Sequence, residues 1–119
     1  MGVDVEHVRP LESMSSLVRR CFSERERAHF ESLPDASRLS AFFRTWTRKE
    51  AYLKATGEGL TFPMKSVEFN APGERVCLTS VEGRPTEASR WSCVDLDPAE
   101  GYVGTLVYEG GPCLVSLHG

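Results

Sequence analysis

The sequence predicts an α+β domain, with helices packed on a mostly antiparallel sheet and residues 1–119 forming a single unit. Three observations lead there. Apolar residues recur at helical spacing through the first half of the chain. After Leu60 the period changes to two, and Pro- and Gly-containing turns then separate short β-prone runs. A chain of 119 residues also suits one hydrophobic core.

Gly2-Val3-Asp4-Val5-Glu6 alternates strictly, so a strand there places Val3 and Val5 on one face and Asp4 and Glu6 on the other. Same-face neighbours lie roughly 7 Å apart. The two carboxylates can therefore share a cation, or simply form the wet face of an edge strand. Arg9-Pro10 turns the chain into a helix whose stripe is Leu11, Met14, Leu17, Val18, Cys21 and Phe22. Arg20 faces away from that stripe and Arg19 flanks it, either solvated or offering bidentate contacts to an acidic partner. Ser23-Glu24-Arg25-Glu26 fits a capping box for a short helix to about Ser32. Asp35 is expected to cap the long helix that follows. Short strands are expected at Val67–Phe69, 75–79, 91–96, 102–108 and 114–117, with a loop over 82–90.

Charge and composition narrow the function. A formal net charge of −3 argues against general nucleic-acid binding. No apolar run approaches the ~20 residues that cross a bilayer, and no signal peptide opens the chain, so no membrane association and a cytoplasmic location are expected. Cys21, Cys77, Cys93 and Cys113 are far apart and read as reduced apolar residues; His7, His29 and His118 show no metal spacing.

The long helix from Asp35 to a stop at Gly57 holds the anomaly. Leu39, Phe42, Phe43, Trp46 and Leu53 form one apolar stripe at about 100° per residue, and Glu50 lies inside it. A carboxylate there is costly to bury without a cation or metal partner. Lys54 follows one turn later at the edge of the same face, while Arg44 and Arg48 are expected on the opposite, wet side.

Taken together, Gly2-Val3-Asp4-Val5-Glu6, Phe22-Ser23-Glu24 and the run from Trp46 through Lys49-Glu50, Lys54, Gly57 and Gly59 to Leu60 resemble the 4′-phosphopantetheinyl transferases. The resemblance is to the second, C-terminal lobe of the surfactin-type enzymes and extends to about Tyr108. It implies a 4′-phosphopantetheinyl transferase-like fold and Mg²⁺-dependent transfer of the phosphopantetheine arm of coenzyme A. The acceptor is a serine of an acyl or peptidyl carrier protein, and 3′,5′-ADP is released. On that resemblance Asp4, Glu6 and Glu50 hold the metal, and Glu50 and Lys54 are catalytic. Lys49, Lys54, Gly57 and Gly59 bind the coenzyme A side, with Lys49 contacting phosphate or another surface group. Arg19 and Arg20 are docking candidates for the acidic carrier.

Surfactin-type enzymes have two similar lobes with the site between them, and this chain begins where the second begins. A homo-oligomer, a separate first lobe or the remainder of a longer enzyme is therefore expected to complete the site. The alternative is a non-catalytic module that binds coenzyme A or a carrier protein and needs a missing lobe for activity. A metal-dependent nuclease or phosphohydrolase is a third reading of the acids alone.

Overall fold

The computed structural model describes residues 1–110; the expected strand at 114–117, Cys113 and His118 lie outside the described residues. Strand β1 (Gly2–His7) pairs antiparallel with β5 (Tyr102–Glu109), which pairs antiparallel with β4 (Trp91–Leu96), so β5 is central. Strands β2 (Val67–Phe69) and β3 (Leu78–Val81) form a separate antiparallel ribbon. The third expected strand thus starts at Leu78 rather than Arg75. The Asn70 side chain explains the delay, because it bridges Arg75 O at 2.7 Å and the Cys77 amide at 2.9 Å and holds that approach outside any ladder. A single helical turn, α4 (Glu87–Arg90), stands where a loop was expected.

Helices α1 (Met14–Cys21), α2 (Glu24–Ser32) and α3 (Asp35–Thr56) carry the first half of the chain. Ser23 and Glu26 form the expected capping box of α2. Asp35 is not the cap of α3: Pro34 takes that position, and Asp35 sits in the first turn 3.2 Å from Arg38, an acid placed against the positive end of the helix dipole. Gly57 closes α3 with φ 79°, and its amide reaches back to Leu53 O and Lys54 O.

Helix α3 runs between two apolar clusters. One contains Val18, Phe22, Phe30, Phe42, Phe43 and Val103; the other is built around Tyr52, Leu53, Val67, Phe69, Trp91 and Val107. Because both flanks are covered, α3 has no wet side along much of its length, which overturns the placement of Arg44 and Arg48. Arg48 is fully buried, with a bidentate pair to Asp95 at 3.1 and 2.7 Å and a bond to Asn70 O at 2.9 Å. Arg44 reaches Asp97 and the Leu96 and Gly104 carbonyls. Both arginines fasten α3 to the sheet. No described helix is long and apolar enough to cross a membrane.

Candidate active site

The site forms where β1 lies against the C-terminal half of α3. Gly2 permits that approach, since a Cβ there would collide with the Ala51 carbonyl and the Ala55 amide. Gly104 does the same on β5, where a Cβ would stand 2.7 Å from Asp4 O. Between these glycines Asp4 is driven under the helix and is only 7% exposed. The reading of β1 as an edge strand with a wet acidic face is therefore wrong for Asp4. Its acids face α3, while Val3 and Val5 are 49% and 46% exposed.

Lys54 reaches in from the rim and donates to Asp4 Oδ1 at 2.8 Å and to Val3 O at 3.3 Å. Asp4 Oδ2 is buried without a hydrogen-bond partner. A buried carboxylate oxygen left unpaired is costly, so this atom marks a place for a donor or a cation. Glu6, two residues on, is half-buried and 3.4 Å from Arg9 Nη1, whose guanidinium lies 5.0 Å from the centre of the Phe43 ring. Glu50 is half-buried and points into the same space from α3. Burial first, and then the Asp4 and Glu6 carboxylates, push its carboxyl above the usual range, with Lys54 partly offsetting them. The hydrogen bond that Lys54 donates to Asp4 chiefly raises its pKa, which keeps it a fixed cation rather than a ready proton donor.

Asp4, Glu6, Glu50 and Lys54 thus share one electrostatic field. Among the described residues no three His, Cys, Asp or Glu side chains converge closely enough to cage a metal unaided. An all-carboxylate donor set suits a hard cation, and one that keeps waters and substrate oxygens needs only one or two protein ligands. The orphaned Asp4 Oδ2 and the acid-raised Glu50 fit such a group.

A family model described as the 4′-phosphopantetheinyl transferase superfamily matches residues 1–107. The chain belongs to this superfamily. Among its relatives, the 4′-phosphopantetheinyl transferase HetI of Nostoc sp. is 37% identical over 111 residues, covering 92% of this chain and 44% of HetI. AcpT of Salmonella typhimurium is 39% identical over 72 residues, covering 60% of this chain and 37% of AcpT. The chain thus spans less than half the length of either relative. The fold is also that of a solved Bacillus anthracis holo-(acyl-carrier-protein) synthase in complex with coenzyme A. That likeness has a TM-score of 0.65 at 24% identity, over 92% of this chain and 95% of that one.

Other expected site residues of this superfamily member are placed differently. Lys49 is fully buried, with Nζ 2.7 Å from Glu26 Oε1 and 2.7 Å from Met64 O, and bonded to Val67 O. It reaches no surface, so the expectation that it contacts phosphate or another surface group is corrected. Desolvation lowers its pKa against the opposing pull of Glu26. Gly57 and Gly59 have φ values of 79° and 55°, and a Cβ at either would meet nothing, so their requirement is conformational. Glu58, between them, is held by the Arg84 guanidinium, which lies 4.4 Å from the centre of the Phe62 ring. Arg19 and Arg20 are exposed on the last turn of α1, and Arg19 shares a surface hollow with Arg27 and Arg38.

Two contributors escaped the sequence reading. Gly2 showed only as the first letter of the motif, because its packing role depends on α3. Glu26 was recognised as a helix cap, but it also accepts from the Phe69 amide at 2.8 Å and pairs with Lys49. The only sequence signal for that second role is Lys49 itself, a cation beside Glu50 on the long helix.

Proposed function

We propose that the chain is a surfactin-type 4′-phosphopantetheinyl transferase lobe that moves the phosphopantetheine arm of coenzyme A to a carrier-protein serine. The observation carrying this is the meeting of Asp4, Glu6, Glu50 and Lys54 where β1 crosses α3, with an unpartnered Asp4 oxygen at its centre. Asp4, Glu6 and Glu50 would hold Mg²⁺. When bound, that ion neutralises pyrophosphate charge and aligns its oxygens. Glu50, its basicity raised by burial and neighbouring acids, takes the serine proton directly or through one water. The serine oxygen forms the new bond to the β-phosphorus as the phosphoanhydride bond breaks, and 3′,5′-ADP leaves. Lys54, kept protonated by Asp4, offsets charge on the leaving phosphate. Gly57 and Gly59 shape the turn at the coenzyme A side, and Arg19 and Arg20 receive the acidic carrier.

Intact mass of an apo carrier protein incubated with the chain, coenzyme A and Mg²⁺ tests this reading. A gain of one phosphopantetheine, lost on adding chelator, is expected. A carrier mass that stays unchanged while coenzyme A still binds would favour the non-catalytic binding module.

We further propose that the active unit contains a second unit of this fold, from another copy or a separate first lobe. The sheet face opposite α3 supports this: Val3, Val5 and Tyr102 are exposed there, and by register Val94, Leu96 and Leu106 share it half-buried. Contiguous apolar exposure of this kind marks an interaction surface. Val5→Glu is expected to shift the chain to monomer in size-exclusion chromatography and to lower transfer at least tenfold. An active monomer would overturn the proposal.

A further inference from the structure

Cys77 and Cys93 do not belong to the acid site, yet the fold brings them together. Both line one cavity of about 200 Å³ between β3, α4 and β4, with Arg75 beside them. Cys77 is exposed, and its thiol donates to Leu78 O at 3.6 Å. Cys93 is half-buried on β4 in the wall of the same cavity, so the two thiols border one space. Among the described residues no strand ladder joins the β2–β3 ribbon to the three-stranded sheet, and this pair stands at the junction of the two.

We propose that Cys77 and Cys93 form a thiol–disulfide modification site, in which exposed Cys77 exchanges with a small anionic disulfide and Cys93 resolves the adduct into an internal bridge. Oxidised glutathione is a suitable reagent, because its carboxylates can be received by Arg75. In the first step the Cys77 thiolate attacks one glutathione sulfur. The glutathione S–S bond breaks, and one glutathione thiolate leaves and takes up a proton. In the second step Cys93 gives its proton to water and attacks the Cys77 sulfur, releasing the second glutathione. Two protein thiols are oxidised to one disulfide, and one glutathione disulfide is reduced to two thiols. The order follows from burial, which pushes the Cys93 thiol up to about 12, with Cys77 adding to the shift. Cys93, the less accessible thiol, is the one that reacts second, once an electrophilic sulfur stands beside it. The bridge ties the ribbon to the sheet and closes a loop from residue 77 to residue 93.

The test is to treat the fully reduced chain with oxidised glutathione at mildly alkaline pH and follow intact mass and non-reducing peptide maps. The expected product has lost two hydrogens, links the Cys77 and Cys93 peptides, and reverts with dithiothreitol. Cys93→Ser should instead accumulate one glutathione on Cys77, and Cys77→Ser should leave Cys93 unmodified. A wild-type product that stops at the Cys77 adduct, or a bridge from Cys77 to Cys21 or Cys113, overturns the proposal. Because the readout is covalent mass rather than transfer, it stands apart from the proposed activity.

Discussion

Replacing Glu50 by Gln is expected to slow phosphopantetheine transfer by about 10²- to 10⁴-fold, the range for loss of a positioned general base. Stability in metal-free buffer should be unchanged or higher. The sign follows from the environment of the carboxyl. Burial and the Asp4 and Glu6 charges raise its folded pKa above the unfolded value near 4.5. The folded state therefore holds the proton more tightly than the unfolded state does. The associated stability is fully present below the unfolded value and is lost as pH rises through the raised folded one. Gln cannot ionise, so that loss should vanish in the variant. Carrier mass against time and urea unfolding at mildly acidic and neutral pH check both halves. If Glu50→Gln unfolds more easily at neutral pH and still transfers, Glu50 is a structural partner of Lys54 and the proposed mechanism is wrong.

Lys49→Met should produce the largest loss of stability, about 3–5 kcal/mol, as expected when one member of a buried ion pair is removed. Glu26 is only 8% exposed, and its carboxylate would remain buried without its cation. Its bonds to the Ser23 and Phe69 amides would still tie α2 to β2, so the fold should survive at low temperature. The double change Lys49→Met with Glu26→Gln should recover part of the loss, because the uncompensated charge is then gone. Urea midpoints of the two variants and the wild type measure this directly. If Lys49 instead served as a phosphate contact, Lys49→Met would raise the KM for coenzyme A and leave unfolding unchanged.

The positions of these two neighbours on α3 show which structural information local pattern carries. Phase along the helix placed Glu50 on the apolar stripe and Lys54 at its edge, and the alternation of residues 2–6 put Asp4 and Glu6 on one face. In the structure these four share one electrostatic field where β1 lies against α3. Lys49, Arg44 and Arg48 went wrong because phase gives direction around an axis but not what occupies that direction. The β2–β3 ribbon and β4 come from residues 67–96 and cover the flank that would otherwise be wet. A cation pointing there must find a carboxylate, and Glu26, Asp95 and Asp97 provide one each.

By itself, the sequence determined what depends on near neighbours: the α+β order of elements, the capping box at Ser23, the stop at Gly57 and the acid misplaced on an apolar stripe. Only the tertiary structure decided which face of β1 is buried. Val3 and Val5 look like the core side by hydrophobicity, yet Gly2 and Gly104 let the strand press Asp4 under α3 and leave the valines outward. Burying a carboxylate in place of a valine opposes the transfer free energy of both side chains. Only long-range contacts can override that preference: backbone approach at two glycines, a lysine from 50 residues away, and room for a cation at the remaining oxygen.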